Sequence, residues 1–156
     1  MPQPPDFDLN AAHRYFAAAC FNRAWDFIDK PQRSPAEDDE MLHLNLTSLW
    51  HWSQRSDATP TNLSVGYCQV GRVYALPGEP ANAFHYAMLS LQASQAAGVE
   101  PVYRGYAYEA LARAEARAGS TEKAREYLRQ ARAQAEQVEN LKECNLLLKD
   151  LDSIQV

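Results

Sequence analysis

Four histidines, three cysteines and a short acidic run are the side chains of this sequence whose types could do chemistry. His13, His43, His51 and His85 fall on three predicted helices, the first, second and fourth. Three imidazoles from three helices could form an open metal site, the third functional reading of the sequence: a metal-dependent helical-bundle enzyme. Glu40 and His43 add an ExxH pair, one piece of a di-iron carboxylate set. That set needs a glutamate on each of two other helices, and the first helix contains none. Cys20, Cys68 and Cys144 are widely spaced and in no CxxC arrangement, which favours buried free thiols in a reducing cytoplasm. There is no GxSxG and no phosphate-binding glycine loop. The reading is therefore not an enzyme, with no catalytic residue, metal ligand or cofactor assigned.

His51 stands between Trp50 and Trp52 in the stretch LWHWS. On a helical wheel at ~100° per residue, Leu42, Leu46, Leu49 and Ser53 fall within ~60° of one another and define the stripe expected to be buried. Trp50 then lies ~60° to one side of its centre and Trp52 ~100° to the other, so both tryptophans are expected to pack. His51 lands ~160° away and is expected to point away from the core.

The elements that position these residues are helices throughout. Apolar residues make up 46% of the 156 residues and no period-two run of β-branched residues occurs, so an all-α fold is predicted. The net charge is -5, with nine acids and five bases in residues 1–60 and no basic block anywhere, which argues against nucleic acid as partner. The longest strictly apolar run, Ala17 to Phe21, is too short to cross a bilayer. MPQPPDFD has neither a basic nor an apolar region of a signal peptide and reads as a short disordered tail, residues 1–7.

Punctuation then counts seven helices. Asp8 to about Asp29 ends at Lys30-Pro31. Ser34-Pro35-Ala36-Glu37 offers a capping box for a second helix to about Arg55, with Asp38, Asp39 and Glu40 a charged helix start rather than a cation site. Pro60, Pro80 and Pro101 open the third, fourth and fifth, which stop near Leu76, Gly98 and Gly119. Ser120 caps a sixth, and Asn140 with Glu143 opens a short seventh carrying Leu147, Leu148, Leu151 and Ile154.

Two stretches are alike. In GYCQVGRVYALPGEPANAFHYAMLSL, from Gly66, and AYEALARAEARAGSTEKAREYLRQAR, from Ala107, a turn glycine precedes an alanine by five residues: Gly78 and Ala83, Gly119 and Ala124. Tyr67 and Tyr108 stand eleven residues before those glycines, followed by Val70-Gly71 and Leu111-Ala112. These residues resemble the tetratricopeptide repeat, in a long variant whose copies are 41 residues apart (124 − 83), with Glu115 where the first copy has Tyr74. The stretch NRAWDFIDKPQRSPAEDDEM, followed by HW, is also similar to a group of small bacterial helical-repeat proteins.

The resemblance implies a short right-handed α-solenoid of three helical hairpins plus a C-terminal capping helix. It would be a single domain over residues 8–156, with a degenerate hairpin at 8–56, repeats at 60–98 and 101–139 and the cap at 140–155. It further implies a cytoplasmic, non-catalytic module that binds a protein or peptide through a concave groove. Groove positions carried over are Val65, Cys68, Arg72 and Ala75, then Tyr106, Glu109, Arg113 and Ala116, with Arg104 and Arg117 near the ends of the fifth helix. Arg72 and Arg113 are equivalent, so they are expected side by side, facing an acidic segment or the free carboxyl terminus of a partner. The other reading of the same residues is a pair of salt bridges to Glu109 or Glu115. A homo-oligomer stays open. The second functional reading is a sensor for a small ligand or signalling peptide in a pocket lined by Trp25, Trp50 and Trp52.

Overall fold

The computed structural model describes residues 6–156, so most of the expected tail lies outside the described residues. Among the described residues there are seven α-helices and no strand. They are α1 (Leu9–Ile28), α2 (Pro35–Gln54), α3 (Pro60–Ala75), α4 (Pro80–Ser94), α5 (Pro101–Arg117), α6 (Thr121–Ala135) and α7 (Leu141–Asp152). No helix is long and apolar enough to cross a membrane.

Local chemistry starts and stops these helices much as the punctuation predicts. Ser34 and Glu37 close a reciprocal capping box, Glu37 N–H donating to Ser34 Oγ (3.3 Å) and Ser34 N–H to Glu37 Oε2 (2.8 Å). Asp8 and Asn140 accept from the first free N–H groups of α1 and α7. Two expectations change. The Ser120 hydroxyl does not cap α6, whose N-terminus has no side-chain cap bond. α4 ends at Ser94, four residues before Gly98, because its last turn tightens into short bonds such as Gln95 N–H to Gln92 O (3.3 Å).

The protein divides into two compact units, one up to Thr59 and one from Pro60 to Val156. In the first, α1 and α2 form an antiparallel hairpin: Ser48 Oγ donates to Ala17 O (2.7 Å) and Arg23 reaches Glu40 (3.6 Å). The most buried line of α2 is Met41, Asn45 and Ser48, rotated ~100° from the expected leucine stripe. The reason is size. α1 buries only Ala17 and Ala24, and small side chains let a facing serine come close enough to bond the backbone.

In the second unit α3 packs on α4 and α5, and α5 also packs on α4, α6 and α7. The two similar stretches have the same turn. Gly78 and Gly119 take φ of 92° and 76°, and the next residue's N–H returns to Tyr74 O and to Glu115 O, both at 2.9 Å. Tyr67 meets Tyr86 at 6.4 Å, and Tyr108 meets Tyr127 at 6.3 Å. Ala83 and Ala124 are both fully buried. A Cβ on Gly71 would lie 3.2 Å from Ala83 O, so α3 and α4 are in close backbone contact there. α7 closes the unit by placing Leu147 and Leu151 among Val102, Ala131 and Ala135.

Candidate functional site

The arginines expected in the groove do come together, around a carboxylate of the protein itself. α3 and α5 run side by side, which sets Arg72 level with Glu109 and Cys68 level with Tyr106. Arg72 Nη2 donates to Glu109 Oε1 (3.0 Å) and Arg113 Nε donates to the same oxygen (2.9 Å). Arg113 Nη2 makes a further contact with that oxygen. Glu109 is fully buried. α7 closes over the arrangement: Asp150 accepts from Arg72 (3.2 Å) and Ser153 from Arg113 (3.1 Å). The expectation of arginines presented to a visiting anion is thereby corrected. Their side chains are only 14% and 21% exposed, and the anions are Glu109 and Asp150.

Charge and burial act on the neighbours in the expected directions. Burial opposes the charge of Arg72, but Glu109 and Asp150 outweigh it and its pKa rises. Burial, helped by Glu109, pushes the Cys68 thiol up to about 12. Burial and then Asp150 push Tyr106 up to about 12. Both shifts oppose ionisation of these groups. Arg117 is a backbone clamp: Nε donates to Ala75 O (2.9 Å) and Nη2 to Leu76 O (3.1 Å), closing the C-terminus of α3. Arg104 donates to Gln134 on α6 (3.1 Å).

Each of the three tryptophans has its own neighbours. Trp25 meets Phe21 edge-on at 6.4 Å, and Trp52 lies under the Arg55 guanidinium at 4.1 Å. Trp50 is 54% exposed. It joins instead a group that sequence reasoning missed. His13 Nδ1 and His51 Nδ1 lie 2.8 Å apart, and Phe16 packs on His51 at 5.4 Å. Trp50 meets His51 at 4.9 Å and His13 at 5.4 Å, and Tyr15 meets Phe16 at 5.2 Å. The wheel predicted that His51 points away from the core; in the structure it faces His13 and Phe16 on α1. The one available signal was the antiparallel register: pairing Ala17 with Ser48 sets His13 opposite His51.

The other two histidines are not part of this group. Among the described residues no set of three His, Cys, Asp or Glu could hold a metal ion. The Glu40 of the ExxH pair is engaged by Arg23. No family model matches this protein, and neither a curated protein nor a solved structure does.

Proposed function

We propose that the protein is a cytoplasmic, non-catalytic interaction module. In this reading, residues 60–156 are a two-repeat right-handed solenoid of tetratricopeptide type with α7 as its cap, and the α1–α2 hairpin carries the docking face. The repeat assignment is supported by the turn, the tyrosine pair and the buried alanine that recur at an interval of 41 residues (119 − 78). The observation that carries the functional reading is the exposure of the ring cluster: Tyr15 is 67% exposed, Trp50 54% and Phe16 46%.

Three large aromatics left in water within one contiguous cluster lose the burial that would otherwise reward them. Tyr and Trp are also the residues that dominate binding energy at protein interfaces. The partner that fits is a protein or peptide segment with proline or large apolar side chains, because rings bind such groups by contact area. The acidic partner suggested by Arg72 and Arg113 is given up, since those arginines already hold Glu109 and Asp150.

The test compares the natural protein with the double variant Tyr15→Ala, Trp50→Ala by cross-linking and mass spectrometry in its native host. Partners cross-linked near α1 and α2 should disappear in the variant, while its helix content stays unchanged. Retention of the same partners by a folded variant overturns the reading.

A further inference from the structure

We propose that the ring cluster of the α1–α2 hairpin is acid-gated, with His13 and His51 holding it together through one shared hydrogen and releasing it when each ring carries its own. The gating is a property of the two rings and needs no partner; its use in docking rests on the function proposed above.

The geometry is that of a hydrogen bond. The ring centroids are 5.0 Å apart and the Nδ1 atoms 2.8 Å apart, so each ring meets the other nitrogen first. Among the described residues no group of three His, Cys, Asp or Glu side chains forms around the pair to hold a metal ion. A neutral imidazole has one N–H and one lone pair. One ring must then be the Nδ1–H tautomer, donating, and the other the Nε2–H tautomer, accepting.

Adding protons to this pair has unequal effects. The first proton goes to the outer nitrogen of the donating ring, and the contact becomes a charge-assisted N–H···N bond. It holds. The second proton has only the accepting Nδ1 to occupy, which sets N–H against N–H and cation beside cation. The contact must open. The pair therefore takes up its protons in two macroscopic steps. Arg14 adjoins His13 in sequence on α1, Arg55 stands four residues after His51, and Asp57 lies in the turn that follows α2. Asp57 is engaged by both arginines, at 3.6 and 2.9 Å, so it does not offset a second positive ring. Partial burial, and then the charge of His13, oppose protonation of His51.

Opening the pair splits the cluster along the helix boundary. Phe16 and His13 belong to α1, Trp50 and His51 to α2, and the contacts that join these four rings across the two helices each include one of the histidines. Acid thus disperses the surface formed by Trp50 and Phe16.

The experiment is 15N imidazole NMR on the whole protein from pH 8 to pH 4.5, for the natural sequence, His13→Gln and His51→Gln. At pH 8 one Nδ1–H and one Nε2–H tautomer are expected. Two separate uptakes should follow, the second at least roughly tenfold less favourable. The Trp50 indole signal, assigned with Trp50→Phe, should move with the second uptake. In His13→Gln, His51 should titrate in one step. Two Nε2–H tautomers titrating together, or a Trp50 signal unmoved by the second uptake, overturns the proposal. If a variant fails to fold, the tautomers of the natural sequence decide alone. Two-step uptake with partners retained by the Tyr15, Trp50 double variant would leave the gating intact and overturn the docking face.

Discussion

Arg72 on α3 donates to Glu109 on α5 across 3.0 Å, and the carboxylate it meets is fully buried. Such a pair contributes little relative to a well-packed apolar substitute, but breaking it on one side strands a charge. Glu109→Ala should therefore destabilise the fold by about 3–5 kcal/mol. The double variant Arg72→Ala, Arg113→Ala should do comparable damage, because it leaves Glu109 buried without either guanidinium. Urea unfolding measures both. Stabilities within a few tenths of a kcal/mol of the natural protein would show that the network is solvated.

Two glycines inside helices should answer differently to alanine. A Cβ at Gly105 would sit 2.4 Å from Leu147 Cδ2, and Leu147 is fully buried against α5. Gly105→Ala should cost about 1–3 kcal/mol by forcing α7 outward. Gly71→Ala meets Ala83 O at 3.2 Å, a smaller conflict, and gains about 1 kcal/mol of helix propensity. It should come out near neutral. Thermal melts of the two variants side by side would separate them; equal losses would contradict this contact geometry.

Arg117→Ala should uncover two carbonyls at the end of α3 and cost about 1–3 kcal/mol. Lysine at this position should recover little of the loss, since one ammonium cannot reproduce the fork that reaches Ala75 O and Leu76 O together. Hydrogen exchange localised to the last turn of α3 is the sensitive readout. Full rescue by lysine would mean that charge alone matters there.

The Glu37 carboxyl is held down to about 2, first by its hydrogen bond from Lys30 and then by the Ser34 N–H. Its folded pKa lies below the ordinary value of 4.5, so its contribution to stability is present above that value and lost as pH falls toward 2. A carboxyl 13C titration should find a midpoint near 2 in the natural protein and a higher one in Lys30→Ala. An unchanged midpoint in that variant would assign the shift to the capping box instead.

Helix number, the capping box at Ser34 and the N-caps Asp8 and Asn140 were legible in the sequence because each is decided within a few residues. The same holds for Gly78 and Gly119, whose positive φ follows from a glycine placed just past a helix end. That Arg72 and Arg113 come together was legible too, from their 41-residue spacing (113 − 72). Which partner satisfies those arginines was decided only in three dimensions. Asp150 lies 78 positions from Arg72, and no local pattern announces that α7 will close over α3 and α5. The face of α2 was likewise decided by what it meets. Hydropathy favoured Leu42, Leu46 and Leu49, but the small alanines of α1 admit Ser48 at 2.7 Å. That rotation left Trp50 in water and brought His51 to His13, because a helix buries whichever face fits its neighbour most closely.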